Sequence, residues 1–451
     1  MILGRAAVAA LAGLVLFTGA AQANALVPPE VVVGAPPPDG PPGPELPTKQ
    51  EKGCLAAGVL KDSDLSRVPP AELALDLERA RALSRGAGVT VAVVDTGVSP
   101  NPRLPNLSGG GDYVAAGGDG LADCDAHGTL VAGIIGATAD PADGFTGVAP
   151  DARIISIRYR SEAFRIERPP SNQVEQLAIQ IRTLARAITH AANLGAGVIV
   201  VPIPICVAVR DGVDQAELSA AIGYAVRVRG ALVVAGAGNT NSHGCQQNPP
   251  IDAGRPGDPR NWRDVATIST PGWFTPEVLT VGFTTANGTP STESLAGPWV
   301  TVAAPGTSIE SLGPGGGGLI NGVGAPDKLA PVGGSSFAAA YVAGVAAMLR
   351  SRFPNETPGD IAARLQASAH APARGVDNSV GAGVIDPLAA LSYRTPPEPP
   401  KGLFQAGDLE IPPPPRARDQ RPGIMAAIVI AAAVLVGIGA TYGAGALRRS
   451  R

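Results

Sequence analysis

The sequence predicts one large α/β domain over residues 86–392, a parallel sheet with helices on both faces. Short apolar runs rich in β-branched residues are typical of strands buried on both faces. They cover residues 89–94, 154–157, 198–201, 232–235 and 278–281. Segments with helical periodicity alternate with them, over residues 130–137, 174–194, 216–228 and 337–350. This alternation favours a parallel sheet, and the length fits one domain.

The composition supports a folded, exported protein. Of the 451 residues, 45% are apolar and 16% are charged, which allows a sizeable core and excludes wholesale disorder. The formal net charge of −3 provides no electrostatic footprint for nucleic acid, so no nucleic-acid partner is expected. Both ends of the chain are apolar, which argues against a simple cytosolic protein.

The two apolar ends predict a signal peptide and a membrane anchor. Residues 1–25 combine Arg5, a short apolar run and small residues at a cleavage site, although a buried N-terminal helix is the alternative. Residues 424–447 carry no charge and are long enough to cross a bilayer as a helix. Basic residues flank that span on both sides, so the signal peptide decides the orientation. It predicts an extracytoplasmic (periplasmic-side) domain and a cytoplasmic tail, residues 448–451.

Two further segments flank the domain. Residues 26–85 form an N-terminal extension, which is Pro-rich over 27–47 and offers one helix at about 70–84. The Pro-rich part is predicted to be a linker with too little apolar content to pack. Residues 393–423 are a second Pro-rich segment, predicted to be a stalk before the membrane.

Four polar residues follow strands or precede helices, which places them where ligands bind in parallel sheets. Asp95 ends the first predicted strand, and Asn239 closes a Gly-rich turn after another. His127 and Ser336 each precede a helix of small residues. Each has an ordinary alternative, as a cap, a turn residue or a surface histidine. Their joint occurrence with glycine neighbours favours acid–base and nucleophilic chemistry.

With these residues the chain resembles the subtilisin-like serine proteases. The similar motifs are residues 91–98 (VAVVDTGV), 127–134 (HGTLVAGI) and 334–344 (GSSFAAAYVAG), and the likeness continues through 297–306 to 381–386. The resemblance implies a subtilisin-like fold with a triad of Asp95, His127 and Ser336. It selects Ser336 over Ser335 as the nucleophile, and it implies that Asn239 contributes to the oxyanion hole.

A narrower resemblance is to the mycosins, the membrane-anchored subtilases of type VII secretion. The shared features are the signal peptide, Gly53-Cys54, residues 123–127 (DCDAH), the stalk and the single span. It implies an endopeptidase that processes exported protein substrates, with secretion-complex subunits as partners. The alternative is a mainly structural subunit of that complex, in which proteolysis is secondary.

Several segments depart from the subtilase pattern. Ala340 replaces a usual proline, and residues 202–205 (PIPI) occupy the place of the substrate-binding strand, where proline removes backbone donors. A polar insertion, residues 158–172, replaces the second flanking strand. Both changes predict narrow specificity.

The extension is too small for a separately folded propeptide, so it is expected to wrap on the body, with a short cleaved propeptide as the alternative. No metal or cofactor is expected.

The four cysteines, Cys54, Cys124, Cys206 and Cys245, form no CxxC pair and fit two disulfides in an exported protein. Cys206 and Cys245 follow consecutive predicted strands at the same edge of the sheet. That placement favours Cys206–Cys245 among the possible pairings and leaves Cys54 for Cys124. The second bridge would bring the extension close to His127.

Overall fold

The structure, a computed structural model, describes residues 26–240, 242, 244–394, 397 and 421–449. The chain divides into a large unit, Met1–Leu403, and a small one, Phe404–Arg451, which are described separately. Outside the described residues lie the expected signal peptide (1–25), most of the expected stalk (395–396 and 398–420) and the last two residues of the expected tail.

The strands of the large unit are given in chain order. They are β1 (Thr48–Gln50), β2 (Ala56–Gly58), β3 (Thr90–Asp95), β4 (Leu107–Asp112), β5 (Arg153–Arg158), β6 (Phe164–Ile166), β7 (Val198–Val201), β8 (Ile205–Ala208), β9 (Leu232–Gly236), β10 (Thr267–Thr270), β11 (Val278–Thr284), β12 (Val300–Pro305), β13 (Ser311–Leu312), β14 (Leu319–Ile320), β15 (Gly322–Ala325) and β16 (Lys328–Pro331).

The helices of both units follow the same order. They are α1 (Pro70–Ala74), α2 (Leu77–Leu83), α3 (His127–Gly136), α4 (Gln173–Asn193), α5 (Ala216–Gly223), α6 (Ser335–Arg352), α7 (Pro358–Ala367), α8 (Pro387–Ser392) and, in the small unit, α9 (Arg421–Arg449). Short 3₁₀ turns at Val209–Asp211 and Trp262–Asp264 and a π-helical turn at Tyr224–Val228 complete them.

The main sheet of the described chain has seven strands in the order β12-β11-β9-β7-β3-β5-β4, and its paired strands are parallel. After β3 the chain builds one side of the sheet, then crosses back to β7 beside β3. This reversal is a topological switch point, and the crevice beyond the strand ends there is the usual ligand site.

The two faces of the sheet bury two separate cores, as the α/β prediction requires. Val91 and Val93 pack with α3 and α6 on one face, and Ala92 and Val94 pack with α4 and α5 on the other. Every residue of β3 is buried, which explains why this strand shows no alternation of apolar and polar residues.

Two strands of the main sheet were not predicted from the apolar pattern, β4 at one edge and β12 at the other. β4 contains Gly109 and Gly110, and a Cβ added at Gly110 would lie 2.3 Å from Ile155 Cγ2. Close packing against β5 therefore requires glycine at this position, and glycine carries no hydrophobic signal.

The N-terminal extension corrects two predictions. The helix expected at 70–84 is instead two, α1 and α2, because Asp76 between them is left-handed with φ 48°. The Pro-rich segment is not a free linker, since Val31 is buried and the Val32 N–H donates to Ser219 Oγ. The extension also adds β1 to β6 and β2 to β15 as antiparallel pairs, so it wraps on the body.

Both disulfides have the predicted pairing. Cys54 is bonded to Cys124, and Cys206 to Cys245. Cys206 lies in β8, just past the end of β7, and Cys245 follows β9. The first bridge ties the extension to a residue three positions before His127.

The small unit is described by one helix, α9. Within it, Gly423–Gly445 has a mean hydropathy of 2.5 and is long and apolar enough to cross a membrane. The helix contains the predicted span, residues 424–447, and extends by a few residues at each end.

Candidate active site

The structure brings the predicted site residues to one edge of the main sheet. Asp95 is the last residue of β3, and His127 is the first residue of α3. Ser336 lies in the first turn of α6, and Asn239 follows β9. All lie at the carboxyl end of the strands or at helix N-termini, as predicted.

Asp95 and His127 form a two-point contact. Nδ1 of His127 lies 2.8 Å from Oδ1 and 3.0 Å from Oδ2 of Asp95. Asp95 is fully buried, and Oδ1 also accepts a hydrogen bond from the Thr96 N–H at 2.6 Å. Because Nδ1 faces carboxylate oxygens, it carries the proton, which leaves Nε2 as the acceptor of a neutral imidazole.

The Asp95 carboxylate also sets the basicity of His127. Burial by itself lowers the pKa of His127, but the charge and hydrogen bond of Asp95 outweigh it and raise the pKa above the ordinary value. A more basic imidazole is a better proton acceptor from a serine hydroxyl.

Helix α6 presents Ser336 on the other side of the site. The Phe337 ring lies 5.1 Å from the His127 ring, centroid to centroid, and packs the first turn of α6 against the imidazole. Ser336 is 5% exposed. The described residues show no direct hydrogen bond from Ser336 to His127, and such bonds are often long in enzymes without substrate.

Asn239 is fixed to the start of α6. Its Oδ1 accepts a hydrogen bond from the Ser335 N–H at 2.9 Å, and Ser335 Oγ accepts one from the Gly238 N–H at 3.0 Å. A Cβ at Gly334 would lie 2.5 Å from Asn239 Nδ2, and Gly334 has φ 143°, so glycine is required there. The amide is therefore held with Nδ2 beside the N-terminus of the helix.

A buried acid beside the Asp95–His127 pair, Asp123, was not predicted from the sequence. Burial raises the pKa of Asp123 to about 6, although Thr129 and Thr96 donate hydrogen bonds to its carboxylate. The signal in the sequence was an acid four residues before His127. Its partners could not be inferred, because Thr96 lies 27 residues away.

The PIPI segment and the polar insertion offer few free backbone groups to a substrate peptide. The Tyr159 hydroxyl donates to the Ile203 carbonyl, which occupies a backbone acceptor in the PIPI segment. A cavity of about 520 Å³ lies between the extension and the polar insertion, with Thr48, Tyr159, Phe164 and Arg165 among its lining residues. Across the described residues, no three His, Cys, Asp or Glu side chains are grouped to hold a metal.

A parallel α/β sheet with an Asp–His pair and a helix-borne serine at its carboxyl edge defines a subtilisin-like serine endopeptidase. The subtilase family matches residues 86–383, and the chain belongs to this family and, within it, to the mycosins. It is 47% identical over 443 residues to Mycosin-1 of Mycolicibacterium smegmatis, covering 97% of each chain.

Solved structures agree. The crystal structure of MycP1 from the ESX-1 type VII secretion system matches with a TM-score of 0.79 and 48% identity, over 82% of this chain and 97% of that one. A chain of an intact ESX-5 inner membrane complex matches with a TM-score of 0.79 and 46% identity, over 93% of this chain and all of that one.

Proposed function

We propose that this chain is a membrane-anchored endopeptidase that cleaves a narrow set of exported substrates in association with a type VII secretion complex. In this proposal Ser336 is the nucleophile, His127 the general base and Asp95 the residue that orients it. The observation that carries the proposal is the two-point contact of Asp95 with His127 Nδ1, at 2.8 and 3.0 Å.

The geometry supports acyl transfer in two stages. His127 Nε2 takes the proton of Ser336 Oγ as that oxygen attacks the scissile carbonyl, and it returns the proton to the leaving amine. Water then attacks the acyl carbonyl. His127 Nε2 takes the proton of that water and returns it to Ser336 Oγ, which releases the acyl group as a carboxylic acid. Asp95 stabilises the imidazolium that forms in each stage.

The oxyanion is assigned to two donors. One is Asn239 Nδ2, which has no hydrogen-bond partner among the described residues and so is available to substrate. The other is the Ser336 N–H in the first turn of α6, where the helix dipole favours negative charge.

Narrow specificity follows from the cleft walls. A peptide that binds by adding a strand needs free backbone groups along the edge. Pro202 and Pro204 lack N–H groups, and the Ile203 carbonyl is taken by Tyr159. In the polar insertion, β6 is already paired with β1 of the extension.

Association with a secretion complex is supported by the similar structures, MycP1 from the ESX-1 type VII secretion system and a chain of the ESX-5 inner membrane complex. The match to a chain of an inner membrane complex favours a second candidate function, that of a structural subunit. Comparing Ser336→Ala with a full deletion separates the two. Secretion that survives the point variant but not the deletion would demonstrate a scaffold role independent of cleavage.

The test of the enzymatic proposal is labelling of the detergent-purified full chain with a fluorophosphonate probe. We expect one modified residue, Ser336, and no labelling of Ser336→Ala, His127→Ala or Asp95→Ala. The matched control is Ser335→Ala, which removes the acceptor of the Gly238 N–H but keeps the nucleophile, so labelling persists. Modification mapped to Ser335 would refute the assignment.

A further inference from the structure

Asp123 lies in the loop before α3 and is nearly buried, at 9% exposed. Its Oδ1 accepts hydrogen bonds from Thr96 Oγ1 at 2.9 Å and from the Asp125 N–H at 3.0 Å. Its Oδ2 accepts from the Thr129 N–H at 2.9 Å and from Thr129 Oγ1 at 2.6 Å. The carboxylate therefore meets donors from two different elements.

Those two elements carry the Asp95–His127 pair. Thr96 directly follows Asp95, and Thr129 is in the first turn of α3, two residues after His127. Thr96 Oγ1 in turn accepts from the Gly128 N–H at 2.9 Å. The joint is tight, because a Cβ at Gly128 would lie 2.0 Å from the Gly97 carbonyl oxygen.

Asp123 also replaces the missing cap of α3. The residue at the N-cap, Ala126, has φ 62° and offers no side-chain acceptor. The Thr129 N–H is one of the free donors of the first turn, and a carboxylate there is stabilised by the helix dipole. Asp123 thus supplies the hydrogen-bond acceptor for the first turn of α3 that Ala126 cannot.

We propose that Asp123 is a positioning residue for the reaction. Its carboxylate fixes the turn after Asp95 and the first turn of α3 relative to each other, and so keeps His127 against Asp95. This assignment rests on the proposed function, since it gives Asp123 a part in the reaction of Ser336. Asp123 acts through its neighbours and does not touch substrate.

The carboxylate has an electrostatic effect as well. The charged groups that act on His127 are Asp95 from β3, Asp123 from the loop, and Arg160 after β5. Asp125 is engaged elsewhere, with Ser161 Oγ and the Glu162 N–H. Burial and Asp95 raise the pKa of Asp123 to about 6, so Asp123 is largely ionised at neutral pH. Its negative charge favours the imidazolium, so its removal lowers the pKa of His127.

The test is the pH profile of fluorophosphonate labelling of the full chain in detergent. Asp123→Asn places an NH₂ group against either the Thr129 or the Asp125 N–H, whichever way the amide is turned. We expect labelling to slow roughly 10- to 100-fold at the pH optimum, as for a small misplacement of a catalytic group. We also expect the acid limb to move to lower pH, because labelling requires neutral His127.

Matched variants separate the positioning effect of the Asp123 hydrogen bonds from the effect of its negative charge. Thr96→Val breaks the same bridge but keeps the Asp123 carboxylate, so labelling slows while the acid limb moves less than in Asp123→Asn. Thr96→Ser keeps the hydroxyl and restores the rate. Asp119→Asn, an exposed carboxylate four residues upstream, changes neither the rate nor the limb.

The outcomes are distinguishable. Labelling of Asp123→Asn at the wild-type rate with an unchanged acid limb would overturn the proposal. If that variant does not fold, wild-type labelling of Thr96→Val would overturn it instead. Wild-type protein that is not labelled at Ser336 at all would overturn the proposed function, and this assignment with it.

Discussion

At the scale of single residues, the amide of Asn239 has divided tasks. Its Oδ1 accepts from the Ser335 N–H, which fixes the amide orientation and leaves Nδ2 without a partner among the described residues. A fixed donor needs no reorganisation when charge develops on the substrate oxygen, and this is the source of its effect on rate. Gly334 preserves the arrangement, since any side chain there would collide with the amide.

Two substitutions test this division. Asn239→Ala removes both groups and should slow the reaction ~10²–10³-fold, the range known for one oxyanion donor in a subtilisin. Asn239→Asp keeps the acceptor for Ser335 but replaces the donor by a charged oxygen, so it should lose at least as much activity with little change in stability. The rate of phosphonylation of Ser336 is the measurement. A fully active Asn239→Asp variant would contradict the assignment.

The residues of the site were predictable to different degrees. Asp95, His127, Ser336 and Asn239 stand in short motifs, so their chemistry and glycine context are visible together. Ser335 was not predicted to hold Gly238, because the two lie 97 residues apart and only the fold brings them together. Asp123 was missed for the same reason.

At the scale of elements, the extension shows where apolar patterns fail. Strands β3, β7, β9 and β11 were predicted because their consecutive residues are buried. The Pro-rich segment was expected to be free, because it has few apolar residues. It is held by buried Val31 and by polar contacts, including a hydrogen bond between Asp39 and His190 at 2.7 Å and an ion pair of Glu45 with Arg182 at 2.6 Å. Such partners are distant in sequence and leave no periodic signal.

The bridge from Cys54 to Cys124 is expected to stabilise this extension without being its only attachment. It closes a loop with a sequence separation of 70, worth ~4 kcal/mol in the chain-entropy model. The double variant Cys54→Ser/Cys124→Ser should therefore unfold at lower denaturant concentration. The pairs β1–β6 and β2–β15 remain, so the extension should stay bound under native conditions.

The control for this experiment is Cys206→Ser/Cys245→Ser. That bridge has a sequence separation of 39 and should cost a similar ~4 kcal/mol, but neither of its cysteines lies in the extension. Native size-exclusion chromatography after a nick near residue 85 measures attachment. Release of the extension from the first variant would contradict the expectation.

At the scale of the whole molecule, the two disulfides and the apolar helix α9 both bear on the compartment in which the large unit lies. Disulfides form and persist in oxidising surroundings, outside the cytosol. The helix α9 is long enough to cross a membrane once, and Arg448 and Arg449 follow the span. Because basic residues also precede the span, they do not decide its orientation. The disulfides therefore predict that the large unit is extracytoplasmic.

An extracytoplasmic large unit should be accessible to a protease added to intact cells whose outer envelope has been removed. Residues 395–415 have too few apolar residues to pack, so an added protease should cut there first. The large unit should then appear in the soluble fraction as one oxidised fragment that still labels at Ser336. A tag fused after Arg451 should stay with the membrane and remain protected until detergent is added. Protection of the large unit together with cleavage of the tag would reverse the orientation, and would leave the disulfides without an oxidising compartment.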